Sequence, residues 1–160
     1  MADMLVNLYA LDFGKNILRD KDIAVKKASV TDKNVILNFV KENFPDSPSW
    51  ANECERALFN MPVSCYLAVK QKKLIGFSCY DATAKGFFGP VGVKKAYRGN
   101  GVGAALLLKT LQAMKEQDYG YAVIGWVAKD AVPFYKKYAK ATIIKGSAPN
   151  KSVYQNMISI

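Results

Sequence analysis

The sequence predicts one α/β domain, built as a mixed sheet with helices packed on it, and three observations support this fold class. The chain has 160 residues and is 51% hydrophobic, which suits a single domain with a core of its own. Strand-like segments that include a hairpin occupy the first half. A strand–helix–strand–helix–strand order follows in the second half, and this order is typical of a sheet covered by helices. No repeat or linker divides residues 1–160.

In the first half, apolar spacing and turn residues predict four strands and two helices. The predicted strands are Leu5–Leu11, Ile23–Ala28, Cys65–Lys70 and Leu74–Asp81, the last two joined as a hairpin by a polar turn at 71–73. The predicted helices run from a cap at Thr31 or Asp32 to Asn43, with Val35, Ile36, Phe39 and Val40 on one face, and from a cap at Ser49 over Trp50–Asn60.

In the second half, the clearest element is a helix over Ala104–Glu116, because its apolar residues recur at i, i+3, i+4 and i+7. We expect it to end at Gly120. Tyr121–Val127 is almost continuously apolar, which is typical of a central strand covered on both faces. The remaining predictions are a strand at Phe87–Val93, a short helix from a cap at Asp130 through Pro133 to Tyr138, and strands at Ile143–Ile144 and Val153–Ile160.

The most informative motif is the glycine-rich turn Arg98–Gly103, which lies between a predicted strand and a predicted helix. Glycine allows close approach of the backbone to a ligand and permits positive φ. The start of the helix then directs unpaired N–H groups and a partial positive charge at an anion. The turn therefore predicts a phosphorylated ligand or cofactor.

Other phosphate-binding and metal-binding classes do not fit the sequence. There is no G-x-x-x-x-G-K-[ST] motif of the P-loop nucleotide-binding type. A dinucleotide fold needs its glycines after the first strand of a βαβ unit, whereas this turn follows several antiparallel strands. The chain has no histidine, which removes the usual zinc sites and any histidine base, and we predict no metal. Its cysteines are scattered without metal-type spacing, and we predict that they pack as reduced thiols: Cys54, Cys65 and Cys79.

The bulk properties limit the partners and the location. No apolar run approaches the ~18 residues of a membrane helix, and no basic and apolar leader begins the chain, so we expect no membrane partner and a cytoplasmic protein. The net charge of +10 indicates either an anionic partner or simple solubility. No aromatic–basic recognition motif accompanies that charge, so we expect no nucleic-acid partner.

The pattern Arg98-x-x-Gly101-x-Gly103 resembles the acyl-CoA motif, [RQ]-x-x-G-x-[GA], of the GCN5-related N-acetyltransferase (GNAT) family. The segment 131–138, which contains Phe134 and Tyr135, resembles the family's short helix with an A-x-x-F-Y signature. Residues 23–159 fit the family's element order, and Leu5–Leu11 is an addition. The resemblance implies the GNAT fold: a mostly antiparallel twisted sheet, splayed between its fourth and fifth strands and flanked by about four helices.

The resemblance also implies acetyl-CoA as co-substrate. Backbone N–H groups at 99–103 are expected to hold the pyrophosphate, with Arg98 on a phosphate. Val91 and Val93 are expected to bond the pantetheine arm, with an N–H near Val91 polarising the thioester carbonyl. The full set of expected cofactor residues is Val91, Gly92, Val93, Arg98, Gly99, Asn100, Gly101, Val102, Gly103, Ala128 and Phe134. The alternative for Gly92 is that it only shapes an irregular strand, and the alternative for Arg98 is a solvated arginine in a loop. The asparagine that many members carry after the fifth strand is absent from 127–130.

The resemblance places Tyr135 at the family's general-acid position, where a phenol protonates or hydrogen-bonds the departing thiolate. The alternative is that Tyr135 only packs. The general base stays open. Glu53 is the first candidate, and Glu55 and Asp81 are the other two. The alternative for each of the three is a surface or capping charge. Phe44 and Trp50 either stack on the acceptor or anchor the first two helices.

The implied reaction is direct acetyl transfer from acetyl-CoA to a primary amine in a ternary complex. The alternative is a non-catalytic acyl-CoA-binding or sensing domain of the same fold. Small polyamine, aminoglycoside, amino acid and peptide acceptors all stay open. Sheet edges of this family often pair, which makes a homodimer one expectation.

Overall fold

A computed structural model describes all 160 residues. Seven strands form one sheet in the order β2-β3-β4-β5-β6-β1-β7, in which only β5 and β6 run parallel. The strands are β1 (Ala2–Asn7), β2 (Ile23–Lys27), β3 (Cys65–Lys70), β4 (Lys73–Tyr80), β5 (Phe87–Val93), β6 (Tyr121–Val127) and β7 (Thr142–Ile143). Four helices flank the sheet: α1 (Lys33–Asn43), α2 (Ser49–Phe59), α3 (Val102–Glu116) and α4 (Val132–Ala139). The predicted fold class is confirmed.

Two apolar cores lie on opposite faces of the sheet. Successive strand residues point to opposite faces, and β3 follows this rule: Cys65 and Leu67 pack under α1 and α2, whereas Tyr66 and Ala68 face α3. The core under α1 and α2 contains 14 buried residues, and the core that faces α3 contains 21. The sheet is therefore clamped between two helical layers, as its alternation of buried residues requires. None of the helices is long and apolar enough to cross a membrane.

The hairpin and the helix after the glycine turn form where local sequence predicts them. Gln71 and Lys72 join β3 to β4 with φ of 49° and 63°, the two-residue turn with positive φ that suits the twist of a hairpin. α3 buries Leu107, Leu111 and Met114 on its apolar face. It ends at Glu116, followed by Asp118 at φ 66°, so Gly120 is not its end. Gly120 instead leaves room for the Tyr9 ring.

Several predicted elements differ in extent or burial. The first strand is shorter than predicted and lies earlier, because the Asn7 side chain accepts a hydrogen bond from the Tyr9 N–H and starts a 3-10 turn over Leu8–Ala10. In α1, Val35 is 64% exposed, and Leu37 occupies the buried face in its place. β6 is not covered on both faces, since its burial alternates.

The predicted terminal strand at Val153–Ile160 is wrong. A 3-10 turn forms over Val153–Asn156, with the Ser152 hydroxyl accepting from the Tyr154 N–H. Tyr154 packs its ring against Trp126, with ring centroids 5.0 Å apart, so its aromatic contact replaces strand pairing. The predicted side-chain caps are also absent: Asp32 and Pro48 hold the first two N-cap positions without a side-chain bond, and Ala131, not Asp130, precedes α4.

The sheet opens between β5 and β6. Their ladder contains only Phe87 with Val123 and Phe88 with Ile124, although each strand is seven residues long. The opposite edge of β6 is paired along its length by β1, from Asn7 with Tyr121 to Ala2 with Val127. The predicted splay between the fourth and fifth strands of the family order is therefore present, and it separates Val91–Val93 from the end of β6.

Candidate active site

A cleft of about 520 Å³ lies beside the second half of β5, where the sheet has opened. This volume falls in the usual range for small-molecule sites, about 300–1,000 Å³. Residues of β5, the glycine turn, the start of α3, α4 and the α1–α2 segment line it: Phe44, Trp50, Val91, Gly92, Val93, Arg98, Gly99, Gly101, Val102, Gly103, Ala104, Phe134 and Tyr138. The structure thus brings together most of the residues that the sequence predicted for the cofactor.

The backbone of β5 directs unpaired groups towards the opening. In an antiparallel ladder, bonded and non-bonded residue pairs alternate. The Lys94 N–H donates to Ile75 O, so this pair is a bonded one and sets the alternation along β4 and β5. In that register, Phe77 with Gly92 is a bonded pair, whereas Val91 and Val93 lie opposite β4 without ladder bonds. Their N–H and C=O groups therefore face the β6 side. An extended ligand chain that entered the gap would meet strand-like donors and acceptors there.

Arg98 extends from the glycine turn back to β5. Its Nε donates to the Val93 carbonyl at 3.0 Å, which confirms that this carbonyl points away from β4. The bond fixes the guanidinium at the mouth of the cleft. Arg98 is therefore a positioned cation at the cleft mouth. Val93 O already has a partner, so the open strand groups in this structure are those of Val91 and the Val93 N–H.

The glycine turn has the conformation that its sequence requires. Gly99 and Gly101 have φ of +83° and +80°, where L side chains are strained, and Asn100 lies between them. Gly101 is the N-cap of α3, so the first N–H groups of the helix are left without intrahelical partners at the cleft. Successive backbone N–H groups beside left-handed residues form an anion-binding concavity. The turn therefore fits a diphosphate.

Aromatic rings shape the rest of the cleft. A Cβ on Gly92 would lie 2.5 Å from Phe44 Cζ, so the missing side chain makes room for that ring. Phe44 and Trp50 pack on each other at 5.3 Å and both contact Phe77. They therefore anchor the first two helices, which is one of the two alternatives from the sequence, and they also line the cleft; stacking on the acceptor stays a prediction. Phe134 lies beside Gly103, and Tyr138 also lines the cleft.

Tyr135 lies where β5 and β6 begin to separate. Its ring packs edge-on against Phe88, the last residue of the β5–β6 ladder, with centroids 6.3 Å apart. Burial raises the pKa of the Tyr135 phenol to about 12, and no hydrogen bond opposes this effect. At neutral pH the hydroxyl is therefore protonated, but Tyr135 is not among the residues that line the cleft, unlike Phe134 and Tyr138 of the same helix.

Glu53 lies on α2, outside the residues that line the cleft. Its carboxylate accepts hydrogen bonds from the Thr83 and Ser49 hydroxyls. Burial raises the pKa of the Glu53 carboxyl above its usual range, and those two bonds partly oppose the shift. The other two carboxylates are already engaged: Glu55 pairs with Lys33 at 3.1 Å, and Asp81 accepts from the Tyr119 hydroxyl and the Gly86 N–H.

Two residues expected at the cofactor do not line the cleft. Ala128 is exposed in the turn after β6, where its carbonyl accepts from the Ala131 N–H. The Asn100 side chain donates to Tyr97 O at 3.4 Å, away from the cleft. Sequence reasoning missed Thr83 and Tyr154, because no motif marks them. The Tyr154 ring lies on Gly125 and Phe87, and the Glu53 charge, after burial, raises the pKa of its phenol.

A larger cavity of about 730 Å³ lies at the other end of α3, beside Asn60, Asp81 and Tyr119. It has neither the glycine turn nor the strand gap. Hydrogen bonds within the protein already engage the Asp81 carboxylate there. The smaller cleft is therefore the candidate site, because it alone combines open strand groups with a helix start.

We expect Gly101→Ala to weaken acetyl-CoA binding. The added Cβ would lie 3.0 Å from Ile17 O at φ +80°, and the left-handed conformation alone costs roughly 1–2 kcal/mol. Relief of that strain displaces the N–H groups that face the anion, so the KM for acetyl-CoA rises by about tenfold or more. Gly146→Ala is the matched control, since Gly146 has φ +76°, open space around it and no place in the cleft. An equal change of KM in both variants would contradict this role.

The comparisons with known proteins agree with this geometry. A sequence model of the acetyltransferase (GNAT) family matches residues 31–139. No curated protein matches the sequence significantly. Many solved structures match in fold.

Three solved structures illustrate the likeness. The glucosamine N-acetyltransferase region of a fungal multi-domain GH3 β-N-acetylglucosaminidase has TM-score 0.72 and 14% identity, over 89% of this chain and 19% of that one. A GCN5-related N-acetyltransferase from Sphaerobacter thermophilus has TM-score 0.61 and 18% identity, over 89% and 48%. A ribosomal-protein-alanine N-acetyltransferase from Brucella melitensis biovar Abortus 2308 has TM-score 0.58 and 16% identity, over 79% and 96%.

This chain spans less than half of the first two of these proteins. Identities this low establish the shared fold and nothing finer. The family match covers both the glycine turn and the helix that carries Tyr135. The chain therefore belongs to the acetyltransferase (GNAT) family, whose members use acetyl-CoA as co-substrate.

Proposed function

We propose that this protein transfers an acetyl group from acetyl-CoA to a primary amine, by direct attack of the amine in a ternary complex. The observation that carries the proposal is the open gap beside β5, with unpaired groups of Val91 and Val93 along it and the glycine turn at its mouth. The names of two structural neighbours, a glucosamine and a protein-alanine N-acetyltransferase, support a nitrogen acceptor.

The protein's binding groups match the parts of the co-substrate in order. The N–H groups at 99–103 and the start of α3 bind the diphosphate, with Arg98 as counter-charge. The backbone of Val91 and Val93 bonds the amide-containing arm as a neighbouring strand does. Bound in this way, acetyl-CoA supplies the thioester that the amine attacks. The Val91 N–H stabilises negative charge on the carbonyl oxygen.

We further propose that Glu53 acts as the general base and Tyr135 as the donor to the leaving sulfur. Glu53 lies outside the cleft lining, so it acts through one ordered water that passes the proton from the amine to the carboxylate. A pKa of about 12 for Tyr135 lies well above the ~8.5 of a thiol. Full proton transfer from the phenol is therefore uphill, and Tyr135 stabilises the thiolate by a hydrogen bond instead.

A second candidate function is acyl-CoA binding without catalysis. The Glu53 carboxylate is held by two hydroxyls outside the cleft lining, which favours this alternative over a directly placed base. Both functions share the same cleft. They differ in whether thiol is released when acetyl-CoA and an amine are both present. Pairing of two copies through a sheet edge and a cytoplasmic location stay predictions.

The decisive experiment measures thiol release from acetyl-CoA against a broad panel of amines, beside calorimetric titration with coenzyme A. Release above background with at least one amine supports acetyl transfer. Micromolar binding of coenzyme A without turnover on any amine supports the binding domain. No uptake of coenzyme A would overturn both functions.

We expect Arg98→Ala to raise the KM for acetyl-CoA about fivefold at low salt, with less effect at high salt. The guanidinium is exposed at the mouth of the cleft, so its attraction to phosphate is screened by ions. Arg98→Lys keeps the charge but loses the bond to Val93 O, and it should recover only part of the loss. Lys72→Ala, in the distant hairpin turn, removes the same charge as a control. A salt-independent effect would contradict a phosphate role.

A further inference from the structure

The three cysteines, scattered in sequence, meet inside the core. Cys54 comes from α2, Cys65 from β3 and Cys79 from β4. Cys65 and Cys79 are cross-strand neighbours in the β3–β4 ladder, and Cys54 Sγ lies 3.9 Å from Cys65 Sγ. All three sulfur atoms lie within 4.8 Å of one another. Sequence spacing could not show this cluster, because three separate elements form it.

The cluster is enclosed by apolar side chains. Each cysteine is 0% exposed, and the surrounding core contains Ile36, Ala57, Leu58 and Phe77. Asp3 is the only charged residue buried in the protein, and it lies on β1, outside this core. A ligand that leaves a net charge in this place is therefore strongly disfavoured, because nothing compensates the charge.

The spacing of the sulfur atoms suits one central atom. Three points within 4.8 Å of one another lie at most about 2.8 Å from a common centre, which exceeds a metal–sulfur bond of about 2.3 Å by roughly 0.5 Å. Small rotations of the three side chains close that difference. There is no fourth ligand, since no histidine exists in the chain and no carboxylate joins the three sulfurs. The site therefore suits an ion that is satisfied by three sulfur ligands.

We propose that Cys54, Cys65 and Cys79 form a closed three-sulfur site for trivalent arsenic, taken up as arsenious acid. Three As–O bonds break and three As–S bonds form. The three thiol protons leave with the three hydroxide groups as three water molecules, and no atom is oxidised or reduced. The reactants and the product are all neutral, so the apolar core receives no charge.

Zinc is the informative comparison. Zinc prefers four ligands in structural sites, and three thiolates around a divalent ion leave one negative charge in the core. Soft thiolate sites do bind zinc where a fourth ligand completes them. The number of ligands and the charge of the product therefore both favour trivalent arsenic over zinc here.

The test uses the full chain, reduced with a phosphine because a dithiol reductant would itself bind arsenic. The protein is unfolded and refolded with arsenite, with zinc, or with neither, so that slow entry into the closed core cannot hide binding. Elemental analysis after gel filtration should give one arsenic per folded chain and no zinc. The midpoint of thermal unfolding should rise with arsenite concentration.

Three single variants, Cys54→Ala, Cys65→Ala and Cys79→Ala, should each lower arsenite affinity at least tenfold. Ser64→Ala, which changes a neighbouring buried residue but keeps all three sulfurs, should bind as the parent does. Absence of arsenic after refolding would overturn the proposal. So would undiminished binding by Cys79→Ala, or one zinc per chain bound more tightly than arsenic. None of these measurements depends on acetyl transfer.

Discussion

Glu53→Gln should lower kcat/KM for acetyl transfer by about a hundredfold at neutral pH, the low end of the range for loss of a general base. Glutamine keeps the shape of the side chain: its amide oxygen can accept from the Thr83 hydroxyl, and its amide NH2 can donate to the Ser49 hydroxyl oxygen in place of the bond that Glu53 accepts there. It cannot take a proton from the acceptor amine. Steady-state kinetics across a pH series measures both the loss and its pH dependence.

The pH dependence of activity is a second test of Glu53 as the base. A base acts when deprotonated, so activity of the parent enzyme should fall as pH falls through the pKa of Glu53. Burial raises that pKa above the ordinary 4.5, so the decline should begin at a higher pH than for a free glutamate. In Glu53→Gln this acidic limb should disappear. A variant that keeps the limb would show that another group is the base.

Stability separates this effect from unfolding. A carboxyl whose pKa is raised by folding contributes its full stabilisation of the folded state below the unfolded pKa. That stabilisation is lost as pH rises through the folded pKa and the buried group ionises. Glu53→Gln should therefore be no less stable than the parent at neutral pH. Glu55→Gln, two residues further on the same helix, breaks the exposed pair with Lys33 and should leave activity unchanged. Full activity in Glu53→Gln would show that Glu53 is not the base.

Tyr135→Phe should lower kcat by about ten- to a hundredfold with little change in the KM for acetyl-CoA. A hydrogen bond to a charged group is worth about 1.5–3 kcal/mol, and the thiolate charge develops only in the reaction, so the loss appears in kcat. Burial alone sets the pKa of the phenol at about 12, so the hydroxyl has no partner in the protein to leave unsatisfied. Folding stability should therefore be preserved.

Tyr138→Phe is the matched control for Tyr135→Phe. Tyr138 lies one helical turn further along α4 and lines the cleft, and its ring packs on Phe134 at 5.2 Å. Removal of its hydroxyl should leave kcat nearly unchanged. Equal losses in both variants, or a rise in KM with constant kcat in Tyr135→Phe, would show that the Tyr135 hydroxyl serves binding and not the departing sulfur.

Two predictions that depended on neighbours in sequence, the β3–β4 hairpin and the helix α3, were confirmed, whereas the predicted side-chain caps and the helix end at Gly120 were wrong. The β3–β4 hairpin requires only its turn residues and two apolar strands, and α3 requires only its apolar period. The glycine turn was predictable for the same reason, since positive φ at Gly99 and Gly101 is a local demand that glycine meets at least cost. The conformation of the turn could therefore be predicted from the sequence, and its role in binding a cofactor stays a prediction.

Predictions that depended on distant partners were less reliable. Val153–Ile160 has apolar residues suited to a strand, but Tyr154 packs on Trp126 and the segment forms turns. Arg98 was expected on phosphate, and only the fold showed its bond to Val93 O. Glu53 was a base candidate from the sequence, but its hydrogen-bond partners Thr83 and Ser49 lie 30 and four residues away in the chain, so no short motif could show how its carboxylate is held.

The sequence by itself determined the order of elements, the glycine turn and the family resemblance, because each is encoded by residues close together in the chain. Only the tertiary structure decided where β5 leaves β6, which groups of Val91 and Val93 remain open, and that three scattered cysteines share one place. The physical reason is that strand pairing and core packing join segments far apart in sequence. Their outcome depends on which surfaces the whole chain buries together.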